Sequence, residues 1–236
     1  MPLVRRLVVV VLGALAFSAA AAAATGDPQY QLNPTDQSWA ESITLGSGDL
    51  GTDWQQASDG GRSSRSTGDP ACSTPDESDL IMTGSSASPD FTRSDGAWMS
   101  TAAVVWQTPD QAQADWDRNV QPGLLSCLAS SLSASSTKRV KIVVTGKRQV
   151  AFPAIAGSRS AAYRLSLILK SSVKARGKTR KVALRATFDF IAVGSGRATA
   201  MLWTLSLNRQ PLSDFNKQQW ALLMAQRMTV DPSTPT

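Results

Sequence analysis

The chain has 236 residues, with 24 Lys or Arg against 18 Asp or Glu and no histidine, so its formal net charge is +6 and its sequence pI is near 9.7. The missing histidine excludes Ser-His-Asp and Cys-His catalytic arrangements and every metal site that needs an imidazole ligand. No Gly-x-Ser-x-Gly, P-loop or dinucleotide-binding motif is present, so the sequence supports no catalytic residue, cofactor or metal site.

The first 24 residues have the pattern of a secretory signal peptide. Arg5 and Arg6 precede an apolar run from Leu7 to Phe17, and small residues follow from Ala20 to Ala24. A membrane anchor is the alternative, but the run is shorter than the roughly 20 residues that span a bilayer. We expect cleavage near Ala24 and a secreted mature chain with no transmembrane segment, for which nucleic acid is not an expected partner.

A short helix and a long polar region are predicted next. Asn33 followed by Pro34 is typical of a helix start, and the helix should run to about Leu45 with Trp39 and Ile43 on its buried side. Residues 46–89 are rich in Gly, Ser, Asp and Thr and are predicted to form a long irregular loop region.

The two cysteines, Cys72 and Cys127, fit an oxidising compartment, where such a pair is usually a disulfide. The alternative is a reactive thiol or half of a metal site. No suitable ligands lie near either cysteine in the sequence, so we expect the disulfide, which would pin the polar loop region to the helix that follows.

A strand, a helix and a second strand are predicted before the centre of the chain. The strand spans Ala97 to Gln107, and the cap at Thr108-Pro109 starts an amphipathic helix that reaches about Ser133. Pro122 should kink or break this helix, since an interior proline costs about 3 kcal/mol. The second strand is expected over Lys138 to Val150.

Three consecutive antiparallel strands are predicted over Ser160 to Asn208, because apolar and polar residues alternate along them. With Ser195-Gly196 as the second turn, Phe190 should pair with Met201 and Phe188 with Trp203. One face of these strands is apolar: Tyr163, Leu165, Leu167, Leu169, Leu184, Ala186, Phe188, Phe190, Met201, Trp203, Leu205 and Leu207.

The opposite face of the same strands is polar and supplies the candidate ligand site. Its members are Arg164, Ser166, Arg185, Thr187, Asp189 and Thr204. The face could be an ordinary solvent-facing sheet surface. If helices cover it, a polar cleft between helix and sheet becomes the binding hypothesis, because buried polar groups need partners.

A last helix is expected after Pro211, with an apolar side made by Phe215, Trp220, Leu223, Met224 and Met228. The tail from Val230 contains two prolines and is predicted to be disordered.

Charge is distributed unevenly along the chain. Residues 26–117 contain 15 acidic and 3 basic residues, whereas residues 118–236 contain 3 and 19. The two portions could compensate each other, or the basic portion could contact an anionic partner. A candidate anionic contact is the tip of the first hairpin, with Lys174, Arg176, Lys178, Arg180 and Lys181, although a solvated tip would look the same.

The order of these features resembles a known group, the secreted actinobacterial proteins of PsbP-like fold. That group is similar to the extracellular sensor domains of mycobacterial receptor serine/threonine kinases. The resemblance is carried by Asp49-Leu50-Gly51 with Trp54, Cys72, Phe91, Cys127, the segment from Gly157 to Arg164, and Gly196-Arg197. It implies an α+β fold with an antiparallel sheet, helices on both faces, a cleft between sheet and helix, and a ligand-binding or sensing role.

We therefore expect one secreted α+β domain over residues 25–236 that acts as an extracytoplasmic ligand-binding or sensor-like module without catalytic activity. Its partner would be an unknown small molecule or an anionic envelope component. The alternative is a structural or adhesive cell-envelope protein that contacts anionic polymer or lipid. A hydrolase built on paired carboxylates is a third hypothesis.

Overall fold

The structure is a computed structural model that describes residues 26–57, 75–121, 123–137, 140–175, 178–207 and 212–233, with the backbone alone at 173–175 and 178. The expected signal peptide and Cys72 lie outside these residues, so the disulfide between Cys72 and Cys127 stays a prediction. None of the described helices combines the length and apolar character that crossing a bilayer requires.

Strands and helices follow the chain as β1 (Gln29–Tyr30), α1 (Pro34–Ile43), a 3-10 turn (Ser47–Asp49), β2 (Trp54–Gln56), β3 (Ile81–Ala87), β4 (Phe91–Arg93), β5 (Trp98–Trp106), α2 (Pro109–Asn119), α3 (Leu124–Ala134), β6 (Val140–Val150), β7 (Arg159–Ala175), β8 (Lys178–Ser195), β9 (Ala198–Leu207) and α4 (Asp214–Met228). The described strands form one sheet with the main order β1-β3-β5-β9-β8-β7-β6, and β2 and β4 form a side branch next to β5. The pairings are antiparallel except β1 with β3.

Helix starts lie where the capping residues predicted them. The side chains of Asn33 and Thr108 accept hydrogen bonds from the backbone N–H groups of Asp36 and Gln111, and a proline follows each cap. The predicted break in the second helix is confirmed, since α2 ends at Asn119 and α3 begins at Leu124. Pro122 itself lies outside the described residues.

Helices cover both faces of the sheet, which confirms the α+β prediction. The predicted apolar face, with Leu165, Phe188 and Leu205 fully buried, packs against side chains from α2 and α3. Ile191 and Leu202 point to the other face and share a core with α1 and α4. Each face therefore has its own hydrophobic layer, because side chains alternate along a strand.

The predicted pairing of β8 with β9 is wrong by two residues. Phe190 lies opposite Trp203 and Phe188 opposite Leu205, so the turn is Gly196-Arg197 and not Ser195-Gly196. Gly196 has a φ of 52°, the left-handed backbone that a tight hairpin turn needs and glycine adopts readily. A shift of two residues keeps every side chain on its own face, so the apolar pattern alone could not detect it.

Residues 46–89 are not irregular throughout. Residues 81–87 form β3, which pairs with β5 inside the region predicted to be irregular. Gly84 in this strand permits close approach of α1, because a Cβ there would lie 2.3 Å from the carbonyl oxygen of Asp36. The sequence pattern missed the strand because its second half is Gly-Ser-Ser-Ala, with no apolar alternation.

The predicted apolar side of α4 contains one error. Trp220, Met224 and Met228 are buried as expected, but the side chain of Phe215 is 66% exposed. Lys217 is buried in its place, at 3% exposure. The helix is rotated so that a charged residue faces the sheet, which needs a buried counter-charge.

Arg197, in the β8–β9 turn, joins three distant parts of the chain. It donates to the Asp36 carboxylate of α1 at 2.9 and 3.0 Å, and to the Asp231 carboxylate after α4 at 2.9 Å. It also donates to the carbonyl oxygen of Trp106 and lies over the ring of Trp39. Hydrogen bonds from Arg197 hold the pKa of Asp231 at about 2, so this ion pair persists at any pH above the ordinary aspartate range.

We expect Arg197→Met to lower the free energy of unfolding by about 3 kcal/mol, because the substitution leaves the buried Asp36 carboxylate without its cation. Urea denaturation at pH 7 measures this loss. Arg118→Met is the matched control, since the ion pair of Arg118 with Asp79 is largely solvated and its loss should change stability much less. Equal losses in the two variants would contradict the role given to Arg197.

Candidate functional site

Three of the predicted ligand-binding residues form one row across the sheet. Arg164 on β7 lies opposite Asp189 on β8, and Asp189 lies opposite Thr204 on β9. Residues paired in this way project from the same face, here the face that α4 covers. The structure therefore brings these three together, with Asp189 and Thr204 buried and Arg164 partly exposed.

Helix α4 completes the row with two charged residues that the sequence analysis did not select. Lys217 Nζ lies 2.6 Å from Asp189 Oδ2 and 2.7 Å from Asp214 Oδ1. Arg164 Nε lies 2.6 Å from Asp189 Oδ1, and its Nη2 also donates to Asp214. Two cations and two carboxylates thus form one closed ion network between sheet and helix.

The two carboxylates of this network differ in exposure. The Asp189 side chain is 5% exposed, whereas that of Asp214 is 57% exposed at the first residue of α4. Burial raises the pKa of Asp214, but the hydrogen bonds from Lys217 and Arg164 outweigh it and bring the pKa down to about 2. Asp214 is therefore ionised at neutral pH.

A small cleft opens beside the network. Its apolar wall is formed by Val150, Ala151, Phe152, Ala162, Tyr163 and Ile191, and the four charged residues with Gln218 line the rest. Its volume is about 30 Å³, which is room for about two water molecules.

The other three predicted ligand-binding residues lie on the same face but outside the cleft. Ser166 and Thr187 form the next row of the sheet, and Arg185 pairs with Ile168 one row further. Ser166 and Arg185 are exposed, and Thr187 is half-buried. The predicted site is thus split between the covered ion network and an open part of the sheet.

This open part carries five exposed cations, which we call the open basic surface: Lys141, Arg148, Lys170, Lys181 and Arg185. The strand register places all five on the face of Arg164. No ion pair joins any of them to a described acidic residue. The surface is therefore positively charged without local compensation.

The predicted anionic contact at the hairpin tip overlaps this surface in part. Lys181 belongs to it, whereas Arg180 is exposed on the opposite face, since it pairs with Val173. The side chains of Lys174 and Lys178 and the whole of Arg176 lie outside the described part of the structure. The backbone pairing of Ala175 with Lys178 agrees with a hairpin tip at this position.

A pair of carboxyl groups with raised pKa values lies elsewhere, between α2 and the start of the chain. Asn119 Nδ2 donates to Asp115 Oδ1 at 2.8 Å and also to Glu77 Oε1. Burial raises the pKa of both carboxyl groups. The buried side chains of Trp106 and Thr199 lie near Asp115 and partly offset this rise in its pKa.

Sequence signals for these missed residues were weak. Ser213 caps α4 and Lys217 stands three residues after Asp214, a spacing that predicts a local ion pair but not its contact with the sheet. Glu77 and Asp115 are 38 positions apart in the sequence and are brought together by the packing of α2 against the segment that precedes β3.

No protein-family model and no curated protein sequence matches the chain. Among solved structures, the extracellular domain of PknH from Mycobacterium tuberculosis is similar at a TM-score of 0.31 and 10% sequence identity. The match covers 63% of this chain and 66%, just under two thirds, of that domain.

We expect Asp115→Asn to change how stability depends on pH. The raised pKa means that protonation of Asp115 favours the folded state, so its contribution is present at low pH and is lost as pH rises through the folded-state pKa. The amide does not titrate. Thermal unfolding at pH 4.5 and pH 7 should show the variant gaining stability relative to wild type at the higher pH. A gain at the lower pH instead would contradict the effect of burial on the pKa of Asp115.

Proposed function

We propose that the protein is an extracytoplasmic binding or sensor-like module without catalytic activity, and that its open basic surface contacts an anionic polymer. The observation that carries this proposal is the set of five exposed cations without a described counter-charge. The signal peptide expected at residues 1–24 would place the protein where envelope polymers carrying phosphate or carboxylate groups are found.

The arrangement of the cations favours an extended partner. Lys181, Lys170 and Arg185 lie in three successive rows of the same face, and rows of one face are about 7 Å apart along a strand. Lys141 lies beside Lys170 on β6, and Arg148 lies beside Arg164. A linear chain with regularly spaced negative groups would meet several of these cations at once.

The distribution of apolar side chains favours a polymer over a membrane. Protein surfaces that bind lipid combine cations with exposed apolar groups that enter the interface. The large apolar side chains that are exposed in the described structure are Tyr30, Leu32, Phe215 and Val230, and none of them is on β6, β7 or β8. The open basic surface has charge without such groups.

We expect Lys170→Gln and Arg185→Gln each to weaken binding to a polyphosphate-coated resin. The number of ions released on binding, which the salt dependence of binding reports, should fall by about one in each variant. Elution across a sodium chloride gradient measures both effects. Lys147→Gln is the matched control, because Lys147 is an exposed cation that pairs with Leu165 and so faces the opposite side of the sheet. It should elute like wild type.

Two outcomes would contradict the proposal. An equal loss in the Lys147 control would mean that net charge, and not this surface, drives retention. Binding to vesicles of anionic lipid at a salt concentration that abolishes polymer binding would favour the adhesive lipid contact instead.

A further inference from the structure

We propose that Arg164 and Lys217 form a subsite for a single carboxylate or phosphate group, which Asp214 occupies in the ligand-free protein. This inference rests on the proposed function only in taking the partner to be anionic. It adds a defined pocket for one end group, next to the open basic surface.

The two carboxylates of the ion network differ in burial, and therefore in how easily each can leave the two cations. Asp189 is buried in the sheet and contacts both cations, so it compensates part of their charge and fixes their positions. Asp214 contacts the same two cations through one oxygen, Oδ1, while most of its side chain is exposed to solvent. A rotation of the Asp214 side chain toward solvent would free one anion position and leave Arg164 and Lys217 held by Asp189.

The position vacated in this way suits an oxyanion. Ser213 accepts from the backbone N–H groups of Asn216 and Lys217, which leaves the N–H groups of Asp214 and Phe215 at the helix start without a helical acceptor. The positive end of the helix dipole adds to the two side-chain cations. Arg164 already holds Asp189 through Nε and Nη2, so an oxyanion in the vacated position would accept from Nη2 of Arg164 and from Nζ of Lys217, the two donors that now contact Asp214.

A groove next to the cleft can hold the rest of such a ligand. It has a volume of about 260 Å³, shares Val150, Ala151, Phe152 and Ala162 with the cleft, and extends to Gln149 and Ser160. No charged side chain lines it. The expected ligand therefore has one anionic end and a short uncharged body.

The test uses butyrate and glycerol 2-phosphate as probes for the two end groups, with isothermal titration calorimetry on the mature chain. Asp214→Asn removes the competing charge but keeps the shape of the side chain, and it should tighten binding of at least one probe about tenfold. Asp110→Asn is the matched control, because Asp110 is also an acidic residue in the first turn of a capped helix but has no ion pair with a described cation. It should leave binding unchanged.

Location is checked by the amide NMR signals of residues 214–217, which should shift on titration of the variant. Unchanged affinity for both probes in Asp214→Asn, or shifts confined to other residues, would overturn the inference. Arg164→Gln should abolish binding, and if that variant does not fold, the Asp214 comparison decides alone. Lys170→Gln separates the two proposals, since it should weaken the polyphosphate interaction and leave probe binding intact.

Discussion

The buried carboxylate of Asp189 is the constraint that determines how α4 docks on the sheet face that carries the candidate site. A buried carboxylate, here on a side chain with 5% exposure, needs cations and hydrogen bonds at both oxygens. One cation comes from the neighbouring strand and the other from α4. The sheet therefore fixes the rotation of the helix, which explains why Lys217 faces inward while Phe215, two residues earlier, points to solvent.

The same constraint separates the two halves of the polar face. Where α4 covers the sheet, every charge of the network has a partner, and Thr204 is buried beneath it. Beyond the helix, Ser166 and Arg185 remain exposed on the open sheet. In the rest of the chain, Arg197 with Asp36 and Arg227 with Asp49 join the basic and acidic portions. Charge compensation between the two portions is therefore real, but no described ion pair extends it to the open basic surface.

Local patterns in the sequence predicted most of the fold, because they report on single elements. Alternation identified the strands of the central sheet and their apolar face, and caps at Asn33 and Thr108 located two helix starts. The predicted register of β8 against β9 was wrong by two residues. A shift by an even number of residues keeps every side chain on the same face, so the alternation of apolar and polar residues cannot reveal it. The row of Arg164 and Asp189 was foreseen from the face they share. The part played by Lys217 was not foreseen, because its contact with Asp189 depends on how α4 docks on the sheet.

A double-mutant cycle between Asp189→Asn and Lys217→Met tests the docking of α4 most directly. If the buried carboxylate holds the helix through Lys217, the two losses in unfolding free energy will not add, and the coupling will be about 1 to 3 kcal/mol. Losses that add to within about 0.5 kcal/mol would show that the helix docks through its apolar residues alone. The ion network would then be a consequence of the packing and not its cause.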